Sequence, residues 1–286
     1  MYLIRKRQLG DVVWIEPIIR ELSKKYKKLV VHTKFNEIFE QNIYKNVIFK
    51  SKLTFFEKLL IRFDFIFHTS FFSINLDGTY ELNPKQHILH AYQTKAKLPI
   101  ENTYPRIQLS KEEMSKNLGG SSKYAIIHIE SFSLKNYRNI HGIEWEVVAN
   151  YLTKNGFKVI QVGKNNQHID NTSFIKTNIR DLISLMNKCT LFIGIDSFPS
   201  HLAAIFKIPS LIFFGAINPN FRHFNDHFIG SFMQGECEFA GCYHNSSNGK
   251  EVSCKLVGNE GIPKCSFFQT NNLIPDIENF ITKYKL

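Results

Sequence analysis

Alternation of apolar strand-like segments with helical segments constrains the fold of this chain most, above all in its second half. Residues 124–129, 157–162, 190–195 and 210–214 are short runs that are largely apolar on both faces. Strands of this kind are typical of a parallel sheet that helices cover on both sides. The second half therefore predicts an α/β fold in which helices alternate with buried parallel strands.

The first half repeats the same alternation with shorter segments. We predict strands at residues 2–5, 29–33, 46–50 and 64–69, and helices at residues 12–26, 55–63 and 86–97. Residues 98–106 contain two prolines and no periodicity, which is typical of a connection between domains. A chain of 286 residues can bury two modest cores. We therefore predict two Rossmann-like domains with parallel sheets facing a cleft, at residues 1–118 and 119–286.

Two polar turns follow predicted strands, at the sheet edge where proteins of this class bind ligands. In the first turn, Gly10 permits a tight bend and Asp11 stands where a helix begins. Asp11 can cap that helix, or it can act as a general base. In the second turn, Asp196 and Ser197 precede a helix whose free amides suit a diphosphate, although Asp196 and Ser200 can equally be caps and His201 a packed side chain.

Residues spread over most of the chain resemble one enzyme family in their order and spacing. They are Leu9-Gly10-Asp11 with Pro17, residues 86–92, Arg138 with Trp145, and Asp196-Ser197-x-x-Ser200-His201 followed by Ala203-Ala204, Pro209 and Phe214-Gly215. The family is glycosyltransferase family 9, the ADP-heptose:lipopolysaccharide heptosyltransferases. The resemblance implies a GT-B architecture, with the acceptor bound by the first domain and a nucleotide sugar by the second. It also implies inversion at the anomeric carbon without a catalytic cofactor or metal.

The resemblance also assigns roles to individual residues. Asp11 would be the catalytic base, and Arg138 would neutralise the leaving diphosphate. The donor-binding residues would be Ser133, Arg138, Gly163, Asp196, Ser197, Phe198 and His201, and the acceptor side would include Arg5, Arg7 and Gly10. Two departures stand out. Phe198 replaces a usual glycine, and the residues after Gly163, Lys164-Asn165-Asn166, lack the acidic residue that often binds the donor ribose.

Four of the five cysteines fall in the segment 237–265. Cys237, Cys242, Cys254 and Cys265 are separated by four, eleven and ten residues, and His244 lies nearby. Four soft ligands can hold a structural Zn or Fe, and some protein-directed relatives of the heptosyltransferases carry a four-cysteine iron site. Buried thiols without a metal are the alternative. Cys189 is interpreted as a core residue.

Positive charge is concentrated in the first half of the chain. There are 20 Lys and Arg against 12 Asp and Glu up to Leu118, and 16 against 13 after it, within a net charge of +11. This balance can serve solubility, or it indicates an anionic partner such as a phosphorylated glycolipid, a membrane surface or nucleic acid. No run reaches the length of a membrane span and no signal peptide is recognised, so we expect a cytoplasmic protein that can contact a membrane peripherally.

The preferred function is sugar transfer to an anionic acceptor such as lipopolysaccharide core. Two alternatives stay open. One is glycosylation of hydroxymethylated DNA bases, as in some phage enzymes, which requires access to the base. The other is a non-catalytic binding protein derived from the GT-B fold, motivated by Phe198 and by the missing acidic residue.

Overall fold

The computed structural model describes residues 1–41, 43–82, 84–120, 123–130, 138–164, 168–245, 254 and 261–286. The described chain divides into two compact units. Unit one is Met1–Ser110, and unit two contains the described residues from Lys111 onward. Serine 133 and residues 165–166 lie outside the described residues.

Unit one is a parallel four-stranded sheet with helices. Its elements are β1 (Tyr2–Ile4), α1 (Leu9–Val13), α2 (Glu16–Lys25), β2 (Leu29–His32), β3 (Val47–Lys50), α3 (Phe55–Ile66), β4 (Ser73–Asn75), α4 (Thr79–Leu82) and α5 (Ile88–Lys95). The strand order is β3-β2-β1-β4, with every described pair parallel. Leu3 pairs with Val31 on one side and Ile74 on the other, so β1 is central. Because the described strand pairs are all parallel, the turn after β1 lies at the carboxyl edge of the sheet, between the ends of β2 and β4.

The strand predicted at residues 64–69 is wrong, because α3 continues through Ile66 and the strand lies further along, at Ser73–Asn75. The misleading feature is the run from Phe63 to Phe67, whose aromatic and β-branched side chains favour strands in general. A capping box at Thr54 and Glu57 starts the helix. The predicted helix 12–26 is also divided, with α2 beginning just before Pro17.

Unit two is a parallel six-stranded sheet whose strands alternate with helices along the chain. Its elements are α6 (Lys111–Ser115), β5 (Tyr124–His128), α7 (Trp145–Lys154), β6 (Lys158–Val162), β7 (Ser173–Ile175), α8 (Ile179–Asn187), β8 (Leu191–Ile195), α9 (Phe198–Ile205), β9 (Ser210–Phe214), β10 (Gly230–Gln234) and α10 (Thr270–Tyr284). The strand order is β10-β9-β8-β5-β6-β7. β5 and β8 are therefore central, and the turns after them meet at one edge of the sheet.

The short helix α6 belongs to unit two through a buried ion pair. The Arg180 guanidinium binds the Glu113 carboxylate, with its Nη2 atom 2.6 Å from Oε2, and Ser184 Oγ donates to the Glu113 carbonyl at 2.6 Å. Both partners of the ion pair are almost fully buried. Because a buried ion pair that loses one partner is strongly destabilising, these contacts hold α6 firmly against α8.

Each unit has its own apolar core. In unit one, Ile18, Ile19 and Leu22 of α2 are buried. In unit two, Trp145 meets Phe213 edge-to-face at 5.8 Å, and Ile277 of α10 joins the same cluster. Among the described helices, none combines the length and apolar character needed to cross a bilayer.

Candidate active site

The turn after β1 brings Asp11 next to a buried arginine. Gln8 adopts a left-handed backbone with φ of 65°, and Asp11 N donates to the Gln8 carbonyl at 2.9 Å, which starts α1. The Arg5 guanidinium hydrogen-bonds both the Asp11 carboxylate and the Gln8 side chain. It also binds Glu81 at 3.0 Å. The orientation of the Asp11 carboxylate is therefore set by a side chain from the end of the central strand.

Arg5 is a permanent positive charge inside this cluster. Burial alone would lower the pKa of its guanidinium, but Tyr92, Asp11 and Glu81 raise that pKa above its ordinary value. Arg5 is 2% exposed, so its role in the described unit is to organise carboxylates. Arg7 is exposed, and Gly10 is half-buried at the start of α1.

The turn after β8 is built around the Asp196 carboxylate. Arg138 Nη2 donates to Asp196 Oδ2 at 2.8 Å and to the Asp196 carbonyl at 3.1 Å. Arg222 approaches from a third segment, with Nε 3.7 Å from the same carboxylate oxygen. Asp196 and Arg222 are buried, whereas 27% of the Arg138 side chain is exposed. Arg138 is therefore the guanidinium of this cluster that solvent and solutes can reach.

Electrostatics keep Asp196 ionised. Burial alone would raise the pKa of its carboxyl, but Arg138 and Arg222, together with His201 and His223, lower it to about 2. Arg138, the partly exposed guanidinium of this cluster, is the positive charge suited to a phosphate.

The first turn of α9 offers fewer amides than the sequence suggests. Ser200 Oγ accepts from Ser197 N at 3.2 Å, and the Ser200 and His201 amides both bond the Ser197 carbonyl. Pro199 has no N–H. The Phe198 amide is the first-turn donor without a partner in the described part of the chain. Anion binding at this turn thus depends more on arginine side chains than on backbone amides.

A pair of buried histidines lies behind the turn. The rings of His201 and His223 have centroids 5.1 Å apart. Neither ring nitrogen of His223 has a hydrogen-bond partner among the described residues. Burial, with help from His201, lowers the pKa of His223 well below its ordinary value. Sequence reasoning singled out neither Arg222 nor His223.

Gly163 ends β6 at a place where a larger residue would collide with an acid. A Cβ atom on Gly163 would overlap Glu130 Oε1, and the other carboxylate oxygen of Glu130 accepts from Lys164 N at 2.8 Å. An acidic side chain is thus present beside this turn, although it comes from the residues after β5. The sequence after Gly163 gives no sign of Glu130, because this residue follows a different strand.

The four C-terminal cysteines lie in one region of unit two. Burial raises the pKa of the Cys265 thiol to about 11, and Cys237, Cys242 and Cys254 add to the rise. All the cysteines are free thiols. Within the described ranges, no three His, Cys, Asp or Glu side chains are arranged to hold a metal ion. Cys189 is buried, as predicted for a core residue.

The fold defines the class of protein first. A structure of the iron-containing dodecameric glycosyltransferase TibC from enterotoxigenic E. coli is 16% identical and matches with a TM-score of 0.70 over 97% of this chain and 76% of its own. E. coli ADP-heptose lps heptosyltransferase II is 13% identical, with a TM-score of 0.67 over 100% of this chain and 99% of its own. A family 9 glycosyltransferase from Veillonella parvula is 16% identical, with a TM-score of 0.68 over 99% and 97%. The predicted α/β fold of the GT-B class is thereby confirmed.

The sequence then identifies the family. The profile of Glycosyltransferase family 9 (heptosyltransferase) matches residues 71–229, more than half of the 286-residue chain. The chain belongs to glycosyltransferase family 9 and is a glycosyltransferase, which confirms the resemblance seen in the sequence. A search of curated protein sequences gives no significant match.

Proposed function

We propose that this enzyme transfers a sugar of the heptose type from a nucleotide-diphosphate donor to an anionic acceptor such as lipopolysaccharide core. The observation that carries the proposal is the cluster of Arg138, Asp196 and Arg222 at the carboxyl end of β8. A central strand of a parallel sheet ends there, where ligands of such folds bind.

The proposed donor is supported by the charge and accessibility of this cluster. Arg138 is partly exposed, and its Nε atom has no hydrogen-bond partner within the described residues. A planar guanidinium can hold two phosphate oxygens at once. The TibC structure in complex with ADP-D-beta-D-heptose supports an ADP-linked heptose as the donor to test first.

The chemistry follows from the charges of the two turns. The Asp11 carboxylate takes the proton of an acceptor hydroxyl while that oxygen forms a bond to the anomeric carbon. The bond from this carbon to the diphosphate oxygen breaks, and its electron pair leaves with the nucleotide. A single displacement inverts the anomeric centre. Arg138 stabilises the growing negative charge on the leaving group, a task for which other transferases use a metal ion.

The proposed acceptor is supported by charge and by a solved relative. The excess of Lys and Arg before Leu118 suits an acceptor that carries phosphate groups. Lipopolysaccharide core has such groups, and heptosyltransferase II is described as an lps enzyme. A hydroxymethylated DNA base shares the anionic character, and no contact in the described residues favours it.

The test is an activity assay with ADP-heptose and lipopolysaccharide core acceptors. We expect Asp11→Asn to lower kcat by about two to four orders of magnitude, since a general base contributes about that much. ADP should still raise the melting temperature of this variant, because Arg138 is unchanged. The matched control is Asp77→Asn, which removes another carboxylate near Arg5. Full activity of Asp11→Asn would eliminate Asp11 as the base, and the lack of a thermal shift with every nucleotide diphosphate would eliminate the donor site.

We also propose that Cys237, Cys242, Cys254 and Cys265 bind a structural Zn or Fe ion. The proximity of the four thiols supports this, as does the structural likeness to TibC, an iron-containing glycosyltransferase. Among the described residues, no three His, Cys, Asp or Glu side chains stand at coordinating positions. Metal analysis of the purified protein tests the proposal.

A further inference from the structure

The outward face of α3 and the loop after it form an apolar surface. The side chains of this surface, the phenylalanine patch, are each 38–76% exposed: Phe55, Phe56, Leu59, Phe63, Phe65, Ile66, Phe67, Phe71 and Phe72. Single exposed apolar residues are common, but nine within eighteen positions are not. A surface of this composition indicates an interaction site.

The acidic groups of this segment point away from the patch. Glu57 binds Lys50 Nζ at 2.6 Å and the Thr54 amide at 2.7 Å. Asp64 is buried, and it accepts hydrogen bonds from the Phe72 amide at 2.8 Å and the Ser73 amide at 2.6 Å. The helix thus presents phenylalanine to solvent and carboxylates to the protein, the reverse of an ordinary surface helix. Because Asp64 fixes the loop, the display of its aromatic side chains is built into the fold.

Cations accompany the aromatic side chains on the exposed face. Lys52, Lys58 and Arg62 are exposed, whereas no carboxylate between residues 52 and 72 is. Arg62 lies three residues after Leu59 and four before Ile66, so the helical repeat places it within the patch. The surface therefore combines apolar side chains with uncompensated positive charge.

We propose that the phenylalanine patch docks on a lipid bilayer that carries anionic headgroups. Aromatic side chains are favoured at the boundary between headgroups and acyl chains, and Lys and Arg bind lipid phosphates there. A contact of this patch with the same patch of a second copy would instead bury Lys58 and Arg62 against a surface that has no exposed carboxylate to match them. Charge complementarity thus selects the anionic bilayer. This surface lies within unit one, and its binding can be measured without any sugar transfer.

The experiment measures partition of the full chain onto vesicles of phosphatidylcholine with and without phosphatidylglycerol. We expect binding to the anionic vesicles that weakens as salt is added. The double variant Phe65→Ser and Phe71→Ser should lower the partition coefficient by about tenfold or more, because both side chains leave the interface. Lys58→Gln with Arg62→Gln should lower it by about tenfold and reduce its salt dependence.

The matched control is Ile100→Ser with Met114→Ser, which removes exposed apolar side chains outside the patch. It should bind vesicles like the unmodified protein. Absence of binding to anionic vesicles at low salt would overturn the proposal, as would unchanged binding of the Phe65 and Phe71 variant. A dimer in sedimentation that this variant dissociates would show that a second copy covers the patch, and would overturn it equally.

Discussion

At the scale of single residues, the most consequential group is the Asp196 carboxylate, because it is buried between two guanidinium groups. Its ordinary pKa is 3.8 and its pKa in the folded protein is about 2. A carboxyl group with a lowered folded pKa stabilises the folded state above its unfolded pKa. That contribution is lost as the pH falls through the folded value. A shift of this size corresponds to about 2 kcal/mol.

We predict a specific pH dependence for Asp196→Asn. At neutral pH this variant should lose about 3 kcal/mol of unfolding free energy, because two guanidinium groups lose their buried partner. The difference from the unmodified protein should shrink between about pH 4 and about pH 2, where Asp196 itself becomes protonated. Urea unfolding at several pH values measures both effects. Asp170→Asn, at an exposed position, is the control, and a difference that stays constant down to about pH 2 would refute the assigned pKa.

Part of this site could be predicted from sequence. The turn at Asp196 follows from its position after a predicted strand, and Arg138 is implied by the family resemblance; the structure places the two in contact. Arg222 and Glu130 were missed, because they reach their partners across the sheet from distant segments, and no local pattern distinguishes them from ordinary charged residues. Glu130 lies two residues after β5, a position that sequence can point to, whereas Arg222 lies eight residues after β9 in the connection to β10.

At the scale of helices and strands, burial decided which elements could be predicted. The strand β9 is buried at every residue, and its predicted bounds are those observed. The edge strand β10 is half-buried throughout and reads GSFMQ, a sequence without an apolar run, so it was not predicted. Helix α10 contains Pro275, which in sequence marks a helix end. Apolar residues are usually buried, but those at the end of α3 are exposed. The strand predicted at residues 64–69 was wrong for this reason.

The cysteine-rich segment 237–265 carries a prediction of its own. If the four thiols bind a structural ion, protein purified without chelator should contain about one Zn or Fe per chain, since such sites retain their metal. Removing the ion should lower the melting temperature and leave the catalytic rate of the folded protein unchanged. Cys265→Ser should lose the metal, whereas Cys189→Ser, outside the segment, should keep it. Much less than one metal ion per chain in the unmodified protein would contradict the proposal and show that the cysteines are unliganded thiols.

At the scale of the whole molecule, each unit possesses a parallel sheet and a separate apolar core. The candidate base belongs to unit one, and the residues proposed for the donor belong to unit two. A ligand stabilises the part of a protein that it binds in the folded state, and local opening is governed by local contacts. An experiment that follows each unit separately can therefore show which unit the donor nucleotide stabilises.

We predict that ADP protects the amides of β8 and the first turn of α9 from hydrogen exchange and leaves those of β1 and α1 unaffected. With nucleotide at about a hundred times its Kd, exchange that depends on local opening should slow by about a hundredfold, because the folded state gains about 2.7 kcal/mol. Deuterium uptake of peptides from each unit, followed by mass spectrometry, measures the effect. Arg138→Gln should abolish the protection, since its guanidinium is the accessible charge of the cluster, whereas Arg7→Gln should not. Protection confined to β1 and α1 would assign the nucleotide to unit one and reverse the proposed division of donor and base.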